Sequence, residues 1–269
     1  IVQIKDETSK GAGDKITFGL RMQLTGDGVQ GDSTLEGNEE ALTTYADAVY
    51  IEQLRHAVRS AGKMSEQRVP FSVREEAKDG LRDWWQDRLD TWFFNQLAGN
   101  TVAGLGTKFT GNQAALAPDS THVIRGGGVA TDELLVSSGT FNLNLIDKCV
   151  EKAKTLTVPI RPVKVGGKDK FVMFLHPYQV YDMRTTTSDG QWLDIQKAAM
   201  SGGDTSKNPI YDGSLGEYNG VILHESTRLP AGVNSTTSAA VASTRRAVFC
   251  GAQSAVVAYG KDDSGEMSW

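Results

Sequence analysis

Residues 71–99, FSVREEAKDGLRDWWQDRLDTWFFNQLAG, decide how the rest of the chain is read. Ser72 and Glu75 have the S-x-x-E spacing of a capping box, in which two side chains satisfy backbone N–H groups that a helix start leaves unpaired. Lys78 and Arg82 follow Glu75 and Asp79 by three residues, on a shared helix face. Apolar residues recur at Val73, Ala77, Leu81, Trp84, Trp85, Leu89, Trp92, Phe93 and Leu97, the three-to-four spacing of a stripe along one side of a helix. Gly99 supplies the left-handed residue that commonly ends one. The pattern predicts a helix over 72–98, about 38 Å long at 1.5 Å per residue, with Gly80 a weak point of about 1 kcal/mol relative to Ala. A stripe this wide ordinarily marks a core helix, with Leu81, Trp84, Trp85, Leu89, Trp92 and Phe93 as its packing residues.

Composition narrows what this helix belongs to. The 269 residues suffice for one large domain or two smaller ones with a real core. A net charge of −5 argues against a general nucleic-acid binder. Two cysteines far apart in sequence, Cys149 and Cys250, make up neither a disulfide framework nor a metal cluster, and fit a reducing compartment. No apolar run approaches the roughly 18–20 residues of a membrane-spanning helix, and no secretory leader is read at the start. The chain opens at Ile1 without a Met and stops at Trp269 without a closing element, which points to processing or to a piece of a longer chain.

Taken in order, residues 1–14 read as a polar extended arm that needs outside contacts to be held. Residues 15–60 read as a long two-stranded excursion. Ile16, Phe18, Leu20, Met22 and Leu24 alternate onto one face, Asp27-Gly28 is a turn signal, and TYADAVYIEQLRHAVRS at 44–60 is favoured as the returning strand over a helix. The tip is acidic: Asp27, Asp32, Glu36, Glu39 and Glu40, with no basic residue from Val29 to Ala41. Such a tip is either a solvated loop or a projecting hairpin that docks on a neighbouring subunit. Residues 100–140 read as an irregular Gly-rich excursion with a hinge or turn at Gly126-Gly127-Gly128. A second amphipathic helix is predicted within 141–156, ended by Pro159 and Pro162. The remainder reads as a compact αβ region. It holds strands in 163–175 around a Gly-Gly turn, a helix after Pro177, a further helix in DGQWLDIQKAAM, and strands at Val221–His224 and Ala247–Cys250.

No constellation for catalysis emerges. His224-Glu225 begins like H-E-x-x-H, but Arg228 stands where the second His belongs. Gly104-Leu105-Gly106-Thr107-Lys108 lacks phosphate-loop spacing, and no G-x-S-x-G elbow occurs. His176, beside Pro177 at the end of an apolar strand, reads as a capping or packing residue. Arg245-Arg246, ahead of a buried strand, could contact an anion, but an exposed start is the favoured reading. No catalytic residue, cofactor or metal ligand is predicted.

The order of these parts resembles the major capsid proteins of tailed bacteriophages, the Hong Kong 97-type fold, and within them the capsid family of the N4-like phages. The residues that carry the likeness are GDSTLEGNEEAL at 31–42, LAG at Leu97–Gly99, FLHPYQVYDMRTT at 174–186, NPIYDGSLGEYNGVILHES at 208–226 and VFCGAQSA at 248–255. The resemblance implies an α+β capsid-type fold. Residues 1–14 would be an N-terminal arm and 15–60 an extended β-ribbon loop. Residues 61–140 would form a peripheral domain built on a spine helix at 72–98, and 141–250 mainly an axial domain, with 251–269 returning toward the peripheral domain. Its assembly residues would be the loop tip, Asp27, Gly28, Asp32, Glu36, Glu39 and Glu40. Trp84 and Trp85, about 100° apart on the helix, would split between a sheet of their own domain and a crossing ribbon.

The function implied is a major capsid protein. It would self-assemble through pentamers and hexamers into an icosahedral shell around double-stranded DNA, without sequence-specific binding, membrane or cofactor. Portal and decoration proteins would be its further partners, the virion its location and the host bacterial cytoplasm its place of assembly. The alternatives are an encapsulin-like nanocompartment shell and a soluble αβ enzyme.

Overall fold

The computed structural model describes residues 2–5, 15–21, 24, 26–42, 44–186 and 215–258. Most of the predicted arm and the predicted helix in 189–200 lie outside the described residues, as do Met22 and the polar loop up to 214. The chain forms two compact units, one of residues 54–255 and the other of residues 2–53 with the segment from 256 onward.

The smaller unit begins with a strand at Val2–Lys5 (β1) and continues as the predicted ribbon, Lys15–Arg21 (β2) antiparallel to Thr44–Tyr50 (β3). Its register runs from Lys15 opposite Tyr50 to Arg21 opposite Thr44. Ile16 is buried and Phe18 half-buried, as the alternation predicts, whereas Leu24 is exposed. The returning strand is shorter than the expected 44–60. It ends at Tyr50, opposite the first residue of β2, and residues 51–60 carry no regular structure. A strand needs a partner for its backbone groups, and among the described residues the pairing ends at Lys15 opposite Tyr50.

In the larger unit a short helix at Lys63–Gln67 (α1) precedes the long helix Val73–Leu97 (α2). Ser72 caps it, its Oγ accepting from the Glu75 N–H at 3.4 Å. Gly99 ends it with φ +58°. The Gly-rich excursion folds as a short helix at Thr107–Thr110 (α3) and a series of single 3₁₀ turns, with left-handed backbone at Gly127 and Gly128. A helix at Leu143–Thr155 (α4) follows, capped by Asn142, whose Oδ1 accepts from the Leu145 N–H.

Strands Val163–Val165 (β4) and Lys168–Leu175 (β5) form the predicted hairpin, with positive φ at Gly166 and Gly167. Helix Pro177–Thr185 (α5) then leads toward Glu217–Tyr218 (β6) and Val221–Glu225 (β7). A two-residue pair, Gly232–Val233 (β8) with Ala240–Val241 (β9), precedes Val248–Cys250 (β10). The main sheet has the order β10-β5-β7-β6, with β4 on the start of β5. Only the β5–β7 pair is parallel. A last strand, Ala255–Ala258 (β11), pairs with β1.

Strand β5 explains where the core lies, because successive side chains point to opposite faces. Phe171, Met173 and Leu175 join Leu143, Ile146, Val150 and Ala153 of α4, Val180 and Met183 of α5, and Val221 and Leu223 of β7 in the principal core. Phe174 points the other way, into a second cluster of Ala98, Leu229, Val248 and Cys250 with Phe94 and Leu97. Its ring meets Phe94 edge-on at 5.3 Å. The sheet is therefore held between α4 and α5 on one face and the last turn of α2 on the other.

Gly99 sits where that last turn ends. A Cβ there would lie 2.6 Å from the Leu116 carbonyl oxygen and 2.7 Å from Pro118 Cδ. Left-handed backbone alone costs a non-glycine residue about 1–2 kcal/mol. Gly99→Ala should therefore destabilise the chain by more than about 1 kcal/mol in urea unfolding, whereas the same change at the exposed helical Gly80 should stabilise or be neutral.

Candidate functional site

The C-terminus of α2 is held by charge. Arg246 donates from Nη1 to the carbonyl oxygens of Ala98 and Gly99, each at 2.9 Å. These are acceptors that a helix end leaves unpaired. From Nε and Nη2 the same side chain donates to Asp132 Oδ2 at 3.1 and 2.8 Å. Arg125 Nε donates to Asp132 Oδ1 at 2.7 Å, and the Val233 N–H to Oδ2 at 3.0 Å. The Asp132 side chain is only 8% exposed. Burial pushes its carboxyl pKa up. The hydrogen bonds from Arg125, Arg246 and Val233 more than offset this and hold it below the usual carboxylate value. Gly232 is part of the same fit, since a Cβ there would meet Thr244 Oγ1 at 2.4 Å and Asp132 Cβ at 2.9 Å. Arg246 is thus not the favoured exposed strand start but makes the anion contact that was its alternative, with Asp132 as the anion. A lone Asp, 114 positions away in sequence, carries no local signal of the pairing.

The long helix differs from the expected core helix. Of its residues only Asn95 is buried, and Leu81, Trp84, Trp85, Leu89, Trp92 and Phe93 are all half-buried. Trp84 and Trp85 do not diverge. Their rings stack on each other at 5.7 Å, with 17° between planes. Trp92 meets Trp85 edge-on at 6.4 Å. His56, from the irregular segment after the ribbon, stacks on Trp84 at 4.5 Å. Nothing in the sequence assigned His56 a role, and the stack places its irregular segment against α2. The Arg88 guanidinium carbon lies 5.5 Å from the Trp84 ring and 5.7 Å from the Trp92 ring, within cation–π range. Trp85 Nε1 and Arg88 Nε are buried without a hydrogen-bond partner. Orphan donors of this kind cost about 1–3 kcal/mol each.

The acidic loop is the most open part of the described chain. From Gly26 to Leu42 every residue except Val29 is exposed, including Asp27, Gly28, Asp32, Glu36, Glu39 and Glu40. Leu35 and Leu42 are exposed to 63% and 62%. The loop is shaped from within. Glu40 Oε2 accepts from the Gly26 N–H at 2.7 Å and Glu39 Oε2 from the Gly37 N–H at 2.8 Å. Gly28 has φ +69°, the left-handed backbone that its turn signal anticipates.

The other singled-out groups are structural. His176 caps α5, with Nδ1 accepting from the Tyr178 N–H, while Gln179 Oε1 accepts from the His176 N–H. Burial pushes the Cys149 thiol up to about 11, with Lys152 pulling slightly the other way, so it stays protonated. Among the described residues no group of His, Cys, Asp and Glu is arranged to hold a metal, and no helix is long and apolar enough to cross a membrane.

Exposed leucines on a self-braced loop and, separately, a long helix with a half-covered aromatic stripe describe a subunit built to meet other protein. The chain belongs to the phage capsid protein family, which it matches over residues 1–269. It is 27% identical, over 245 residues, to the major capsid protein of Pseudomonas phage KPP25. The match covers 84% of this chain and 63% of that relative, so the chain spans less than two thirds of the relative's length. Its structure is similar to the capsid of Ralstonia phage GP4, with a TM-score of 0.76 and 32% identity over 97% of this chain and 74% of the other. It shares its fold with the capsid of cyanophage Pam1, with a TM-score of 0.72 and 20% identity, covering 97% and 76% of the two chains. The α+β capsid-type reading holds, and these relatives are shell proteins rather than enzymes or nanocompartments.

The clamp gives a prediction with a definite sign. A carboxyl group whose pKa is depressed by folding stabilises the fold above its unfolded-state value and ceases to do so as pH falls through the folded value. Stability should therefore drop below pH 3.8, the ordinary carboxylate value, and Asp132→Asn should flatten that acid limb. Arg246→Ala, which strands a buried carboxylate, should cost about 3–5 kcal/mol in urea unfolding at neutral pH. A wild-type acid limb in Asp132→Asn would assign the acid sensitivity to other carboxylates.

Proposed function

We propose that the chain is the major capsid protein of a tailed phage, self-assembling through pentamers and hexamers into an icosahedral shell around packaged double-stranded DNA. The observation that carries the reading is the loop from Gly26 to Leu42. Its backbone is braced by its own carboxylates while its leucines stay in solvent, which is costly for an isolated chain and useful for one that docks on another. Family membership and the likeness to the GP4 capsid support it.

In this reading residues 15–60 are the extended loop that overlaps an adjacent subunit, with Asp27, Gly28, Asp32, Glu36, Glu39 and Glu40 at its tip. Residues 61–140 form a peripheral domain on the spine helix, whose assembly-side packing residues are Leu81, Trp84, Trp85, Leu89, Trp92 and Phe93. Residues 141–250 are mainly axial, 1–14 are the arm, and 251–269 return to the peripheral domain. The segments at 31–42, 174–186, 208–226 and 248–255 favour the N4-like branch of the family. The DNA is enclosed rather than read. A net charge of −5 suits a shell that must not grip the duplex being packed. Portal and decoration proteins complete the virion, assembled in the host bacterial cytoplasm.

Deleting residues 25–40 tests this directly. The variant should keep wild-type circular dichroism and thermal unfolding but form no shells or capsomers in negative-stain microscopy. Normal particles from the deletion would overturn the assembly role of the loop.

A further inference from the structure

The chain is acidic as a whole, yet one stretch of it is basic. Residues 148–170 hold seven of the 28 Lys and Arg residues and only two acidic ones, Glu151 and Asp169. Lys152 donates to the Val123 carbonyl oxygen and Lys170 pairs with Glu217. The other five, Lys148, Lys154, Arg161, Lys164 and Lys168, are exposed, and their side chains make no ion pair or hydrogen bond among the described residues.

The β4–β5 hairpin carries the tip of this surface. Residues 164–169 are all exposed, and a Cβ added at Gly166 or Gly167 would meet nothing within 4 Å. Lys164 lies opposite Asp169, and Lys168 opposite Val165. Opposed residues share a face and successive ones alternate. The hairpin therefore presents one lysine on each face, beside a turn without side chains. Lys154 of α4 and Asp169 line one cleft, which brings a further cation to the Lys164 face.

The chemistry of this surface selects its partner. Residues 148–170 contain no Phe, Tyr or Trp. Protein interfaces are enriched in aromatic residues and Arg and depleted in Lys, and single-stranded nucleic acids are held by stacking on aromatic rings. Lysines alone suit phosphate, which they meet as point charges. The dimensions suit a duplex. Three residue pairs at about 3.4 Å each make a hairpin about 10 Å long. The major groove of B-form DNA is about 12 Å wide and about 8.5 Å deep, and it admits two paired strands. A lysine on each face then reaches phosphates on either side of the groove, and a Gly-Gly tip reads no base.

Resting on the shell reading above, we propose that the β4–β5 hairpin touches the packaged duplex, its tip in the major groove and Lys164 and Lys168 on the flanking phosphates, with Lys154 and Arg161 adding to the attraction. The contact is independent of base sequence. It is also weak, because the rest of the chain is acidic and repels the same phosphates, so the duplex still moves during packing.

Fluorescence anisotropy of a labelled duplex with the unassembled full-length chain, over a sodium chloride series, decides this. Lys164→Gln with Lys168→Gln should weaken binding by about tenfold or more at low salt and make the plot of log affinity against log salt shallower by about 2, since each phosphate contact contributes about 0.9 to the slope. Circular dichroism should stay that of the wild type, and shells should still form. Arg55→Gln with Arg59→Gln, in the other basic stretch, should leave the affinity unchanged. Wild-type affinity in the hairpin variant, or an equal loss in the Arg55 and Arg59 variant, overturns the site. Polyglutamate that displaces the label better than unlabelled duplex at equal charge overturns nucleic acid in favour of an acidic protein. Loss of shells with duplex binding intact assigns the hairpin to contacts between copies and overturns the proposal. A wild-type chain that binds the duplex but forms no shells would instead overturn the shell reading and leave the hairpin as a nucleic-acid contact.

Discussion

The fold depends on one buried carboxylate. Asp132 lies on a single 3₁₀ turn in a Gly-rich stretch, yet it fixes Arg246 so that the guanidinium reaches the last carbonyls of α2. Without Asp132, Arg246 would be a cation facing a half-buried cluster. Without Arg246, Asp132 would be an uncompensated buried anion, the costlier defect. Arg125 balances the remaining oxygen, and the Val233 N–H ties in the β8–β9 pair. Four segments distant in sequence are thus brought to one point: the end of α2, the 3₁₀ turns, the β8–β9 pair and the approach to β10. Polar satisfaction does here what apolar burial does not, because the excursion between α2 and α4 leaves Leu116, Leu134 and Val136 exposed.

The clamp also explains why the long helix is held so unevenly. Only its last turn enters a closed cluster, through Phe94, Leu97 and Ala98 against Leu229, Val248, Cys250 and Phe174. Gln96 adds hydrogen bonds to the carbonyls of Thr110 and Gln113. Toward the N-terminus the stripe is half-covered, and its contacts are ring stacks rather than a packed core. A helix anchored at one end and half-dressed along the rest is a poor arrangement for a monomer. It is a reasonable one for a subunit whose remaining apolar area is covered by other protein.

Much of this was legible in the sequence, and the failures have physical reasons. The limits of α2 followed from Ser72 and Gly99, those of α4 from Asn142 and its stripe, and the β4–β5 hairpin from Gly166-Gly167, because caps and turns are local. The left-handed backbone at Gly28 was readable for the same reason, although the loop turns at Gly31-Asp32 and Glu36-Gly37 instead of at Asp27-Gly28. What periodicity could not tell was how deeply the stripe is buried, since it reports which face is apolar and not what lies against it. Arg88, in the middle of that face, was passed over as one polar residue in an apolar pattern. The Asp132–Arg246 pair was invisible because long-range ion pairs leave no spacing rule, and the reading of Arg245-Arg246 as an exposed start was wrong for Arg246 on that account. The end of β3 at Tyr50 was not legible either, because strand propensity does not say where pairing stops.

Charge is sorted along the chain in a way that the modest net value conceals. Seven acidic residues and no Lys or Arg occupy 22–54, whereas 55–68 carries four basic residues and one acidic one. A chain that keeps acceptors on one surface and unpaired donors on another does not pair symmetrically with itself, because like surfaces would repel. In the shell reading it would join tail to head, and such heterologous contacts either close into rings or continue as open arrays. A rigid contact would fix one rotation per subunit and therefore one ring size, whereas an icosahedral shell asks the same surfaces to serve both five-fold and six-fold neighbours.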